Sequence, residues 1–410
     1  METPSPSRLG LPNLWIRSLG IGLPLTIALL IGSQPSVYTQ LQATTQAWFN
    51  PLAEPYRYPF NASLPRNRSA IPQLRQEIAF YQERIQKDAQ RGLDYAALAL
   101  TYLRMARTTG QGHWYLLAEQ TAQQSLTHLP FDNADAQLVL ARVAEAKHDF
   151  PGALRLAEQL PEREAIALAV TSHLAMGQLD EADQAATQLV DATLSANAFT
   201  LQALVQVAQG KPQEALQSFH YALEVEEPGE LSNSARLRTT LGRFYYEQGR
   251  LELATDLYQE ALRLLPGYQP ALVNLAQVKL RQGQYNAADR LYQQAIAMSD
   301  TMPTLYQPTV LRGQAQIQKQ RGNPAIANRL WQEAELLLRE TVPTTPSTAQ
   351  PSFGHQRELA RLLLERGNPG DRTEAVALMQ QEITLRRDAP TLATYAGALA
   401  ATERWQEAQG

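Results

Sequence analysis

"LGRFYYEQGRLELATDLYQEALRLLPGYQP", residues 241–270, carries apolar side chains at three- and four-residue spacing on both sides of Gly249. That spacing gathers apolar residues on one helix face. A glycine between two such stretches can take the left-handed conformation that ends the first helix and reverses the chain. The segment therefore predicts two antiparallel amphipathic helices. The pattern returns at once in "LAQVKLRQGQYNAADRLYQQAIAM", residues 275–298. A feature that recurs at a fixed period is architecture, and repeats of this length signal a solenoid.

Alignment on the glycines extends the pattern over most of the chain. Gly177, Gly210, Gly249, Gly283, Gly322 and Gly367 each follow a helix-like stretch with a polar or charged end. Four or five residues beyond each, or eight beyond Gly367, stand Ala182, Ala215, Ala254, Ala288, Ala327 and Ala375. Ala118, Ala153 and Ala408 hold the same place where the glycine is replaced. Seven residues before the glycines come Val170, Ala203, Gly242, Ala276, Ala315 and Ala360. Small residues where two helices cross let the backbones approach, while larger neighbours fill the grooves.

On these residues the sequence resembles the tetratricopeptide repeat family. Residues 235–268 match best, with Leu241-Gly242, Tyr245, Gly249, Ala254, Tyr258, Ala261 and Pro266 at the family's spacings. The next unit keeps Leu275-Ala276, Gly283, Ala288, Tyr292 and Ala295 but has Asp300 where proline is usual. Units are expected to start near residues 92, 134, 163, 196, 235, 269, 308, 353 and 389. The resemblance implies an all-α, right-handed superhelical solenoid of antiparallel helix pairs. Its expected organisation is a leading helix at 71–91, repeats one to seven at 92–340, a Thr/Pro/Ser-rich connection at 341–356, and C-terminal repeats at 357–410, the last incomplete. "RTTGQGHW" reads as an insertion between the helices of the first unit, and Pro161 cuts short the second helix of the next. The truncated last unit is expected to leave Leu392, Tyr395 and Leu399 partly open.

Ahead of the repeats, Arg8 and Arg17 precede "SLGIGLPLTIALLIG", and no charged residue follows until Glu54. The apolar core of this stretch has signal-peptide length, and its extension to Tyr38 has the length of a tilted membrane helix. An uncleaved signal-anchor over 1–38 is the expectation, with a cleaved signal and a buried core helix as alternatives. Arginines on the cytoplasmic side would put the repeats on the extracytoplasmic face. Residues 39–70, with the proline-rich "NPLAEPYRYPFNASLPRNRSA", read as a linker.

A formal net charge of −4 gives no electrostatic reason to expect nucleic acid. The chain lacks cysteine, so it has no disulfide framework, thiolate metal site or cysteine nucleophile. No phosphate loop, nucleophile elbow, zinc-protease motif or dinucleotide fingerprint occurs. The histidines His113, His128, His148, His173, His220 and His355 are scattered without ligand spacing and read as ordinary surface or packing residues. The chain is read as a non-enzyme without cofactor or metal.

Surface remains. In the family the first helix of each unit lines a concave groove with its second, fifth, sixth, ninth, twelfth and thirteenth residues. Carried to this sequence, those places are largely apolar in the early units: Leu93, Ala96, Leu100, Leu103, Leu138, Val139, Leu201, Leu204 and Val207. That surface is expected to bind a helix or to be filled by the chain's own "PQLRQEIAFYQERIQ". In the central units the places turn polar and basic: Arg236, Arg243, Tyr246, Asn274, Gln277, Arg281, Arg312 and Lys319, with Glu247 as the main acid. Guanidinium and amide donors suit an extended acidic or carboxylate-ended peptide, and the alternative is a solvated charged surface with no ligand. Asn274 and Arg243 stand near the family's carboxylate-clamp pattern, but its lysines are missing, so recognition of a chaperone tail is not assigned. The expected function is a membrane-tethered scaffold for protein interaction or complex assembly. The alternatives are a structural component of an envelope complex, bound through its convex face or open end, and a non-catalytic subunit of an enzyme.

Overall fold

A computed structural model describes residues 71–227, 229–297, 304–340, 353 and 355–408. The chain divides into two compact units, 1–54 and 55–410, and every described residue belongs to the second. The expected anchor and linker, and most of the Thr/Pro/Ser-rich connection, lie outside the described residues.

Every regular element among the described residues is a helix. A leading helix, α1 (Ile71–Lys87), is followed by pairs at the expected places. These are α2–α3 (Gly92–Thr109, Gly112–His128), α4–α5 (Ala134–Ala146, Phe150–Ala157), α6–α7 (Glu162–Met176, Leu179–Ala192) and α8–α9 (Ala196–Ala208, Pro212–Glu224). Next come α10–α11 (Leu231–Glu247, Leu251–Leu264), α12–α13 (Gln269–Arg281, Tyr285–Ala297) and α14–α15 (Gln307–Gln320, Pro324–Arg339). The last are α16–α17 (His355–Arg366, Pro369–Leu385) and α18–α19 (Ala389–Ala401, Trp405–Ala408). First helices start within four residues of the expected unit starts, and α16 begins two residues inside the expected connection.

The six aligned glycines all take left-handed φ, between 73° and 82°. Of the three units that lack the aligned glycine, the first turns on Gly110 at φ 67°, and in the other two His148 and Glu403 adopt the same conformation at φ 63°. The reversal is thus imposed by helix packing even where the residue pays steric strain. The small residues sit at the crossings: Val170, Ala203, Ala276, Ala315 and Ala360 are fully buried, as are Ala182, Ala215, Ala254, Ala288, Ala327 and Ala375. At Gly242 a Cβ would stand 2.6 Å from the Tyr258 ring, so hydrogen is the only substituent that fits without movement.

Two local expectations are corrected, and one of two alternatives is realised. "RTTGQGHW" is no looped insertion, because α2 runs on through Thr109 and the chain reverses over Gly110 and Gln111. The extra sequence therefore becomes an extra helical turn, which satisfies its backbone groups internally. α1 packs on α2, with Leu74 and Ile78 in one apolar cluster with Ala96 and Leu103, so the chain covers part of its own early surface. Leu399 is buried against α16 and α17, and Tyr395 packs partly against the same cluster, which leaves Leu392 and Trp405 as the exposed apolar side chains of the last pair.

Distant repeats also meet. The Leu305 amide donates to the Gly110 carbonyl at 2.7 Å, and Tyr115 lies 5.5 Å from the Phe353 ring. The Arg387 amide donates to the Ala175 carbonyl at 2.8 Å, and Arg386 reaches His148 at 3.3 Å. The turns of the first three pairs thus meet the connections that lead into α14, α16 and α18.

Candidate partner-binding interior

Two adjoining spaces lie along the central and C-terminal first helices. One, of about 280 Å³, is lined by Arg243, Tyr246, Gln277, Arg281, Arg312 and Arg361 among others. The second, of about 550 Å³, runs from Arg243 and Glu247 across to Ala393 and Gly397 on α18. Arg243, Arg361 and Glu365 border both.

Five of the eight residues expected in the groove therefore converge on one space: Arg243, Tyr246, Gln277, Arg281 and Arg312. Tyr246 is the centrepiece, with Arg243 5.3 Å and Arg281 5.4 Å from its ring centre on cation–π terms. Arg281 also donates to the Tyr246 carbonyl at 3.2 Å, and Arg243 reaches the Gln277 amide oxygen at 3.3 Å. Lys319 stands over Trp331 beside a third space of about 370 Å³ that shares Glu365. Asn274 is half-buried on α12 and lines none of these spaces. Arg236 lies apart, donating to Asn197 at 2.8 Å.

Much of the central positive charge is already matched within the chain. Arg243 meets Glu247 at 2.6 Å. Arg312 is almost wholly buried and is held by Glu358 and Glu365, each at 2.5 Å, from α16. Burial alone would raise the Glu358 carboxyl pKa, but Arg312, Arg361 and Arg357 outweigh it and bring it down to about 2. Arg312 is thus a clamp between α14 and α16 rather than a free ligand cation, and it joins the repeats on either side of the 341–352 connection. Arg281 is exposed, whereas Arg361 is half-buried and meets Glu358 at 3.4 Å.

The early interior departs further from expectation. Ala96, Leu103, Val139 and Leu201 are buried in helix packing, so this surface is less open than an apolar groove. Polar and basic groups appear instead. Arg142, at the ninth place of its unit, shares a cavity of about 470 Å³ with Arg236. Arg142 lay on the groove face but was obscured by its apolar neighbours. Arg107 lies on the additional turn of α2, beyond the thirteenth place, where the family's groove positions end.

Antiparallel helix pairs repeated around an interior define the class, a tetratricopeptide-type repeat protein. A family model described as the MalT-like TPR region matches residues 106–389, and the chain belongs to that family. No curated protein matches the sequence. Among solved structures, a chain of the APC/C hetero-tetramer Cut9–Hcn1 is similar at TM-score 0.49 and 12% identity, over 81% of this chain and 60% of that one. This chain therefore spans less than two thirds of that relative. PilF of Pseudomonas aeruginosa is similar at TM-score 0.37 and 21% identity, covering 58% of this chain and 97% of its own. MamA is similar at TM-score 0.33 and 18% identity, over 40% and 91% of the two chains. No activity or partner passes to this chain from these likenesses.

Proposed function

We propose that the protein is a non-catalytic scaffold that holds an extended segment of a partner protein in the interior of its repeats. The observation that carries this reading is the convergence of Arg243, Tyr246, Gln277 and Arg281 on a space that continues across to α18. Amide and guanidinium donors around an aromatic face suit an extended acidic or carboxylate-ended peptide: the ring gives apolar contact and the donors orient its carboxylates. Residues 1–38 would tether the scaffold to a membrane, with the repeats on the extracytoplasmic side, and 39–70 would give it reach.

Crosslinking the full chain in membranes of its own host, beside an Arg243→Glu/Arg281→Glu variant, tests the reading. A partner captured by the native chain and lost from the double reversal is the expected result. A partner retained by both would move binding out of this interior. A second reading, a structural component bound through its last helix pair, is favoured by the exposed Leu392 and Trp405. Under it, Leu392→Ser/Trp405→Ser would lose the partner while the double reversal kept it.

A further inference from the structure

The second pair reverses on a histidine where the regular units use glycine. His148 takes a left-handed φ of 63°, and its ring stacks on Phe150 with the centroids 5.4 Å apart. The side chain is largely buried against residues 382–388, from the end of α17 and the connection into α18. Arg386 lies 3.3 Å from its Nε2, and Glu382 Oε1 lies 3.8 Å from its Nδ1. The next residue, Arg387, donates its amide to the Ala175 carbonyl at 2.8 Å, where α6 turns into α7. A Cβ on Gly177 would stand 2.9 Å from the Arg387 Cβ, so the two chains are in close contact.

The charged groups around His148 come from several elements. α17 supplies Glu382, whose buried Oε1 has no hydrogen-bond partner. The connection supplies Arg386, held by Asp388 at 2.5 Å. α16 supplies Arg357, 3.4 Å from Asp388 and 3.5 Å from Glu358, which belongs to the Arg312 clamp. On the histidine's own turn, Lys147 is drawn to Glu119 of α3 at 2.5 Å, and Asp149 caps α5 through the Gly152 amide. Two guanidinium groups thus stand with two carboxylates, Glu382 and Asp388, around an imidazole.

Geometry sets the state of that ring. A guanidinium only donates, so the Nε2 facing Arg386 carries its lone pair, and the neutral imidazole keeps its hydrogen on Nδ1, towards Glu382. Burial pushes the pKa below the usual histidine range, and Arg386 and Arg357 push the same way against the pull of Glu382. Protonation would place a hydrogen on Nε2 in front of Arg386 and add a third cation to the cluster. Glu382 would gain attraction but no new hydrogen bond, because Nδ1 already carries its hydrogen.

We propose that His148 is the acid-sensitive part of a clasp between the turns of the second and third pairs and residues 382–388, which opens when the imidazole takes up a proton. The closed state favours the neutral ring, so closure is complete above the ordinary histidine pKa of about 6.5 and weakens as pH falls below it. α18 follows directly on this connection and walls the 550 Å³ space with Ala393 and Gly397. Opening the clasp therefore releases one wall of that space, and the device stands whatever the space holds.

Hydrogen exchange of the full chain reads the clasp at the Arg387 amide, which is tied to Ala175. Protection, normalised for the intrinsic pH dependence of exchange, is compared at about pH 7.5 and about pH 5.5 in the native chain and in His148→Asn. Asparagine tolerates the left-handed conformation and takes up no proton in this range. Protection at Arg387 should fall at least threefold in the native chain at the lower pH and stay constant in His148→Asn. His148→Lys, charged at both values, should be open already at the higher one. In the native chain the imidazole NMR signal of His148 should titrate at the midpoint of the loss, a readout that needs no variant. Unchanged native protection, an equal loss in His148→Asn, or a midpoint apart from the His148 titration would overturn the proposal. So would a loss that spreads to the amides inside α10, since that marks general unfolding rather than a clasp.

Discussion

Arg312 and Arg107 both stand on first helices, yet only Arg312 has carboxylates to meet. Arg312 is buried between Glu358 and Glu365 and ties α14 to α16. Arg107 is exposed on the last turns of α2, bonds the Tyr115 hydroxyl and has no ion-pair partner among the described residues. A basic residue on a first helix can thus be a clamp or stay unpaired. The difference lies in what the helix two places further along the array presents to it. Paired cations of this kind hold repeats in register, whereas unpaired ones do not.

The largest effect expected from the paired class is at Arg238, which is fully buried and bonds both Glu226 and Glu260 at 2.6 Å. Arg238→Leu would strand two buried carboxylates and cost about 3–5 kcal/mol in chemical denaturation. An effect below about 1 kcal/mol would erase the distinction between the two classes. Acid should act on the clamp as well. Glu358 has a folded pKa of about 2, below its usual 4.5, so its contribution is complete above that usual value and is lost as pH falls towards 2. Linkage makes the loss on the order of 3 kcal/mol. Burial opposes the downward shift of Asp388, but Arg386, Thr391 and Arg357 win, and so its contribution has the same sign. Unfolding followed by tryptophan fluorescence between pH 5 and 2 should show this loss, and Glu358→Gln should flatten it. A smaller effect is expected where no charge is involved. Gly242→Ala places a methyl group against the Tyr258 ring and should cost about 1–3 kcal/mol by overpacking, read as a lower denaturation midpoint. A neutral result would mean that the crossing of α10 and α11 is looser than the 2.6 Å approach implies.

The repeat itself was legible because its marks are local. A glycine or small residue at a fixed offset answers to the crossing of two adjacent helices, and Gly242 facing Tyr258 is such a pair. Arg243, Tyr246, Gln277 and Arg281 were legible for the same reason: their helix positions fix which way they point. What escaped the sequence depends on the path of the superhelix. Nothing near Arg312 announces that Glu358 and Glu365 will reach it across 46 and 53 residues. Nothing near Gly110 announces that its carbonyl will accept from Leu305. Arg107 was missed because α2 outruns the family's unit, so its last turn has no assigned groove position.

The most direct test compares Arg312→Gln and Arg107→Gln side by side, by urea unfolding of the full chain in low-salt buffer free of phosphate. Arg312→Gln should lose about 3–5 kcal/mol, because it strands Glu358 and Glu365. Arg107→Gln should stay within about 0.5 kcal/mol of the native chain or gain slightly from relieved repulsion. Equal losses at both positions would show that Arg107 is paired after all, and would contradict the division between clamps and unpaired cations.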